Sequence, residues 1–252
     1  MSNYISEDLK DSILKITLNN PANQNTLSLE IINDLKELIV TADNNQEVKV
    51  IILSSSGKVF SAGHNLKEIQ THRNDSDQGL RFFTKLINSC SELMLTIINN
   101  SKPVIAEVDG VATAAGCQLV ASCDLAYASE KSKFATPGVN IGLFCSTPMV
   151  ALSRSIKNKH AMEMLLTGDL INSQNAKSIG LINNFFKEEY LSKETMLIAY
   201  KIASKSSLTL KIGKKAFYNQ LEMNISDAYK YASNIMIKNM MESDSEEGIK
   251  AF

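Results

Sequence analysis

The residues with the most chemical content in this chain carry almost no side chains. Between Pro103 and Asp124 the sequence reads PVIAEVDGVATAAGCQLVASCD. Residues 104–108 are a short, partly β-branched apolar run bounded by Pro103 and Gly110, the pattern of a buried strand. Gly110, Ala112, Ala114, Ala115 and Gly116 follow, and then Leu119, Val120 and Cys123 lengthen into a helical pattern. A strand, a small-residue turn and a helix start present bare backbone N–H groups at the positive end of a helix. Such a site stabilises a developing negative charge, for instance a carbonyl oxygen becoming an enolate. Close helix–strand packing asks for the same small residues, and on this stretch alone packing is the stronger reading. Residues 54–66, SSSGKVFSAGHNL, form a second loop after a strand, with Gly57 and Gly63; residues 137–148, PGVNIGLFCSTP, form a third. Three such loops in one α/β chain favour an enzyme of small-molecule substrates over an interaction module.

Other chemistries find little support. There is no GxxxxGK[ST], GxGxxG, HExxH or GxSxG motif. The three histidines, His64, His72 and His160, lie far apart without partners at ligand spacing, so no metal is expected. The four cysteines, Cys90, Cys117, Cys123 and Cys145, show no CxxC spacing and sit in apolar surroundings. They read as reduced core thiols of a cytosolic protein. A net charge of −1 leaves no electrostatic footprint for nucleic acid or an anionic membrane. No apolar stretch approaches bilayer length. The first residues, MSNYISEDLK, are polar and acidic, which predicts neither a secretory signal nor a transit peptide, hence a cytoplasmic protein.

These loops need a scaffold. Residues 4–18 have the pattern of a β-hairpin that turns near Lys10 and Ser12. Ser28 caps a helix to about Ala42, with Leu29, Ile32, Leu35 and Ile39 at helical spacing. Residues 48–53, VKVIIL, are a buried strand. Residues 70–79 are polar and aperiodic, and a mobile surface segment is expected there. A helix over Leu80–Asn99 carries Phe83, Leu86, Ile87, Cys90, Leu93, Met94 and Ile97 on one stripe. Short strands are expected at 125–128, 133–135 and 181–186, and helices at 148–155, 159–167 and from Ser173 to a stop at Gly180. Further helices follow at 189–205, 207–221 and 225–241. The change of rhythm puts a soft boundary near residue 190, between a ββα core of residues 1–190 and a helical region of 191–252.

Five stretches carry a family resemblance: KVFSAGHNLKE (58–68), GVATAAGCQLVASCDLA (110–126), FATPGVNIGL (134–143), AMEMLLTGDLINSQNAKSIGLIN (161–183) and EEGIKAF (246–252). In this order they resemble the crotonase superfamily, the enoyl-CoA hydratases and isomerases, over nearly the whole chain. The resemblance implies an α/β spiral of ββα units with a C-terminal helical trimerisation region, assembled as a homotrimer or a dimer of trimers. It implies an acyl-CoA thioester as ligand, with coenzyme A as part of the substrate and no separate cofactor. It also implies a two-amide oxyanion hole at His64 and Ala115. The CoA and acyl pocket would involve Asn25, Ala62, His64, Asn65, Leu66, Gly110 and Phe252.

The departures from the family pattern are chemical. Hydratases of the family carry a glutamate in G-C-E-L and another in P-E; those positions are Gln118 and Gly138 here. Glutamine can hold water but has no useful pKa, and glycine has no side chain. Losing one acid–base group costs about 10²–10⁴ in rate. Efficient hydration by the usual route is therefore not expected. SAGH and TP-x-VN-x-G are similar to segments of methylmalonyl-CoA decarboxylases in the superfamily. In that reading His64 orients a carboxylate or donates a proton, with Asn140 or Thr136 nearby. A hydratase or isomerase using another acid, such as Glu68, and a non-catalytic acyl-CoA-binding protein complete the alternatives.

Overall fold

A computed structural model describes residues 3–251. β1 (Ile5–Lys10) and β2 (Ile13–Leu18) pair antiparallel around Asp11 and Ser12. α1 (Leu29–Asn44) starts at Ser28, whose hydroxyl accepts a hydrogen bond from the amide of Ile31 at 3.3 Å. That contact satisfies one of the first-turn donors a helix leaves unpaired. The chain then runs β3 (Val50–Ser55), β4 (Val59–Ser61), α2 (Leu66–His72), α3 (Leu80–Asn99), β5 (Val104–Val108), β6 (Val111–Thr113) and α4 (Ala115–Ser122). β7 (Leu125–Ser129) and β8 (Lys133–Ala135) lead through a 3-10 turn, Pro137–Ile141, into α5 (Ser146–Ser155) and α6 (Asn158–Thr167). β9 (Ile171–Asn172), α7 (Ser173–Ile179), β10 (Asn184–Phe186), α8 (Glu188–Ala203), α9 (Ser207–Leu221), α10 (Ile225–Met240) and α11 (Ser243–Ala251) complete it.

Two sheets result. The larger has the order β1-β2-β3-β5-β7-β10, parallel except for β1 against β2. The smaller has the order β4-β6-β8-β9, with only β9 antiparallel. Each passage β3–β4, β5–β6 and β7–β8 therefore gives one strand to each sheet before a helix follows. Repeating that step winds the chain into a spiral of ββα units.

β4, β6 and β9 fall in stretches without strand periodicity, because two or three residues are too few to show it. β10 begins at Asn184 rather than at 181: Leu181 and Ile182 are buried in the turn after Gly180, whose left-handed backbone ends α7. Residues 70–79 are tied down locally instead of running free. α2 reaches His72, whose ring stacks on Phe82 at 3.7 Å and whose Nδ1 lies 2.7 Å from the Asp75 carboxylate.

The main core lies between the sheets and α1, α3 and α4, filled by Phe60, Phe134, Leu35, Ile39, Leu93 and their neighbours. α8 covers the other face of the larger sheet, with Ala199 and Ala203 against Ile13, Val50, Ile52 and Ile105. α9 and α11 bury none of their described residues, and α10 buries only Ala228. α9 is nonetheless pinned to the core. The Lys214 ammonium donates to the Asp124 carboxylate at 2.7 Å and to the carbonyls of Ile97 and Lys102, and the Tyr218 hydroxyl donates to Asp124 at 2.9 Å.

Candidate active site

The loop after β4 and the start of α4 meet through Gly63. Its backbone is left-handed (φ 85°), and a Cβ there would lie 2.8 Å from the Ala114 Cβ and 3.1 Å from the Ala115 nitrogen. Only glycine permits this approach without displacement. Gly116 serves the same contact from the other side, since a Cβ on it would come within 2.3 Å of the Ser61 carbonyl oxygen. The family-predicted positions His64 and Ala115 are thus brought side by side.

Their amides are turned out by backbone geometry. His64 forms a parallel bridge with Leu27, in which the Gly63 carbonyl accepts from Leu27 at 2.8 Å and the Asn65 amide donates to Leu27 at 3.3 Å. Alternate groups along an extended strand point to opposite edges, so the amide of His64 faces away from that partner. Ala115 is the first residue of α4, where N–H groups have no intrahelical acceptor. Ala114 before it holds φ 51° and ψ −119°, a strained backbone for a residue with a Cβ, and supplies no side-chain cap. Among the described residues neither amide has a hydrogen-bond acceptor. One free donor at a helix start and a second on the neighbouring loop suit an oxyanion.

Three polar side-chain atoms of this region are buried without a partner among the described residues: His64 Nε2, Gln118 Oε1 and Thr136 Oγ1. Thr136 joins the site because the Ala114 amide donates to the Ala135 carbonyl at 3.0 Å, carrying the end of β8 beside α4. The sequence placed Thr136 only as a neighbour of His64 in the decarboxylase reading, and its orphaned hydroxyl is visible only after folding. Burial pushes the pKa of His64 from 6.5 down to about 4, so the imidazole is neutral near pH 7. Burial also pushes Cys90 and Cys117 up to about 12 and raises Cys123 and Cys145. These thiols stay protonated and are not nucleophiles.

Gly138 is buried, and a Cβ on it would meet the Leu143 carbonyl oxygen at 2.4 Å and the Cys145 sulfur at 2.8 Å. The turn has closed over the space a side chain would need. Asn140 is exposed, with its amide nitrogen 3.1 Å from the place a Cβ on Gly168 would take.

Asn25 is 1% exposed and its side chain is committed to the fold. It accepts from the Asn20 amide at 2.7 Å and donates to the carbonyls of Ser56 and Val59. This leaves no side-chain donor of Asn25 for a ligand. The Ala62 amide donates to Gln24 at 3.1 Å, which fixes the loop. Asn65 caps α2 by accepting from Lys67 and Glu68, and Leu66 is exposed at the first position of that helix. Gly110 is set against Lys58, whose carbonyl a Cβ would strike at 2.0 Å. Phe252 lies outside the described residues. Glu68 accepts from the Leu29 amide at 3.3 Å, a link between α2 and α1.

A cleft of about 1010 Å³ opens beyond Gln118 between α3, α4, α5 and α9. In the sequence its α3 wall, including Met94, is indistinguishable from an ordinary packing stripe. Among the described residues no group of histidine, cysteine, aspartate and glutamate is placed to hold a metal ion, and no helix is long and apolar enough to cross a membrane.

A spiral of ββα units built from two interleaved sheets defines a crotonase-type fold. Residues 8–252 match the family model described as enoyl-CoA hydratase/isomerase, and the chain belongs to that family. Within it the similarity runs to the group called enoyl-CoA hydratase domain-containing protein 3. The rat mitochondrial protein of that name is 49% identical over 96% of this chain and 79% of its own length. The crystal structure of the human protein superposes with a TM-score of 0.94 at 47% identity, covering 99% of this chain and 97% of that one. An enoyl-CoA hydratase from Mycobacterium smegmatis also superposes at 0.94, with 40% identity over 100% of this chain and 96% of that one. The expectation of a cytoplasmic protein does not stand, because the rat, mouse and human relatives at 48–49% identity are named as mitochondrial. The polar start of the chain carried that expectation, and it is weak ground against likeness over nearly the whole sequence.

Proposed function

We propose that this chain binds an acyl-CoA thioester, holds its carbonyl oxygen between the amides of His64 and Ala115, and stabilises the enolate. The observation that carries this reading is the contact of Gly63 with Ala114 and Ala115, which sets two acceptor-free amides together. Each well-placed donor contributes about 3 kcal/mol to such an oxyanion when water is excluded. Names of relatives, which include enoyl-CoA hydratases, support an acyl-CoA ligand. No metal or separate cofactor enters this reading. Hydration by two carboxylates is not part of it, since Gln118 cannot carry a proton and Gly138 has no side chain. Assembly as a homotrimer or a dimer of trimers belongs to the same proposal. It is supported by the exposed Phe217, Leu221, Ile225, Tyr229 and Ile237 along α9 and α10.

Decarboxylation is the second reading, favoured by the neutral, unpartnered Nε2 of His64. The bond between the α carbon and a carboxylate breaks, its electron pair enters the thioester as the enolate, CO₂ leaves, and a proton from water ends on the α carbon. His64 would position the departing carboxylate by hydrogen bonding.

One assay panel separates these readings: crotonyl-CoA hydration, methylmalonyl- and malonyl-CoA decarboxylation, and thioester binding on a single preparation. Thioester binding with CO₂ release that His64→Ala abolishes supports decarboxylation. Binding without turnover makes the chain an acyl-CoA-binding protein. Hydration at ordinary enzymatic rates, untouched by Gln118→Ala, overturns the claim that proton transfer is lacking.

A further inference from the structure

We infer that Glu68 is the positioning residue of the His64 amide: its carboxylate ties the first turn of α2 to the start of α1 and so fixes the loop that carries one donor of the oxyanion pair. The inference rests on the reading above, in which the amides of His64 and Ala115 receive a thioester carbonyl. Residues 24–29 and 62–68 run side by side. The Ala62 amide donates to Gln24 at 3.1 Å, the Leu27 amide to Gly63 at 2.8 Å and the Asn65 amide to Leu27 at 3.3 Å. His64 lies between the last two contacts, and its own amide faces away from Leu27. The Leu29 amide then donates to Glu68 Oε2 at 3.3 Å and closes the ladder.

The two sides of His64 are held unequally. Before it, Gly63 is wedged against Ala114 and Ala115, and the buried Asn25 binds the Ser56 and Val59 carbonyls. After it comes α2, which buries none of its residues; Ile69 packs partly buried against the core, and His72 stacks on Phe82 only at the far end. The Asn65 side chain is spent on α2 itself, accepting from the amides of Lys67 and Glu68. Glu68 is therefore the side chain that fixes the first turn of α2 to another element. Its partner Leu29 is the first residue of α1, where an N–H has no intrahelical acceptor, and the Ser28 hydroxyl serves Ile31 instead. A carboxylate at that positive helix end is held by charge as well as by the hydrogen bond. Among the described residues Leu29 is the only hydrogen-bond partner of the Glu68 carboxylate. Engaged there, the group serves the site through the backbone and not as an acid. Loss of the tie lets the His64 amide turn with α2, and a displacement of about 1 Å at a positioned group costs up to about a hundredfold in rate.

The test compares butanoyl-CoA with S-butyl-CoA, a thioether that lacks only the carbonyl oxygen. The ratio of their affinities reads the two amides, whereas a general loosening of the fold weakens both ligands alike. Calorimetry measures both on the wild-type chain and on Glu68→Ala, Glu68→Asp and Glu68→Gln. A net hydrogen bond is worth about fivefold in affinity, so the wild-type chain is expected to prefer the thioester by about fivefold or more. Glu68→Ala should reduce that ratio by about threefold or more. Glu68→Asp should do the same, because a side chain one methylene shorter cannot span a contact already 3.3 Å long, and it supplies the answer should the alanine variant not fold. Glu68→Gln should recover most of the ratio, since its amide oxygen still accepts from Leu29. A ratio unchanged in the alanine and aspartate variants, with both ligands weakened equally or not at all, overturns the inference. A glutamine variant as poor as alanine also overturns it, by assigning the effect to charge. A wild-type chain that binds thioester and thioether alike overturns the paired-amide reading itself, and the role of Glu68 falls with it.

Discussion

Gly63 and Ala115 meet so closely that a Cβ on the first would lie 3.1 Å from the nitrogen of the second. That contact decides whether the two amides act as a pair. Gly63→Ala adds a clash to a left-handed backbone, at a cost of about 1–3 kcal/mol in strain. The variant is expected to fold with lower stability and to lose thioester affinity at least tenfold. Urea melts together with thioester calorimetry check it, and a variant that binds normally would remove the pairing from the site.

Ala114 offers the opposite change. Its φ of 51° with ψ −119° suits glycine better than alanine. Ala114→Gly should raise stability by about 1 kcal/mol, net of the extra freedom of the unfolded chain, while keeping the Ala115 amide in place. A thermal melt reads it; a fall in Tm would show that the surrounding packing, and not the backbone, sets this conformation.

Restoring the second family glutamate should fail. At Gly138 any Cβ meets the Leu143 carbonyl oxygen at 2.4 Å. Gly138→Glu is expected to cost about 1–3 kcal/mol by overpacking and to bring no hydration of crotonyl-CoA, alone or with Gln118→Glu. A double variant that hydrates at ordinary enzymatic rates would show that the turn opens readily.

The pH dependence of stability follows from His64. The unfolded chain takes up its proton near 6.5, and the folded chain only near 4. Between those values the unfolded state binds more protons, so stability is full above about pH 7 and falls as pH drops toward 4. The total loss is up to about 3 kcal/mol. Denaturant melts at pH 7 and 4.5 should show a smaller difference in His64→Gln than in wild type; equal differences would assign the loss to other groups.

The attachment of α9 depends on Lys214, whose side chain is 8% exposed. Lys214→Met strands the Asp124 carboxylate and should cost about 3–5 kcal/mol, against about 1 kcal/mol for Tyr218→Phe. Limited proteolysis near residue 205 should accelerate in the first variant and barely change in the second.

Much of this architecture was legible in residue order. The apolar stripe of α3 and the hydroxyl of Ser28 before α1 mark those helices directly, because burial on one face imposes a period of 3.6 and a helix start leaves donors to be capped. The family resemblance pointed to His64, Ala115, Gln118 and Gly138 as positions of interest before any coordinates. The short strands β4 and β6 were not legible, since their pairing partners are distant in sequence and three residues show no period. Tertiary structure alone decided that Gly63 touches Ala115, that Thr136 and Gln118 keep unpaired polar atoms, and that Asn25 is consumed by its own loop. Residue type sets what a group can do, but the accounting of partners closes only when remote backbone is brought within a few ångströms. That is why Gln118, in sequence one residue of a helical run, becomes in the folded chain a buried side chain lining a cleft with its Oε1 unpartnered.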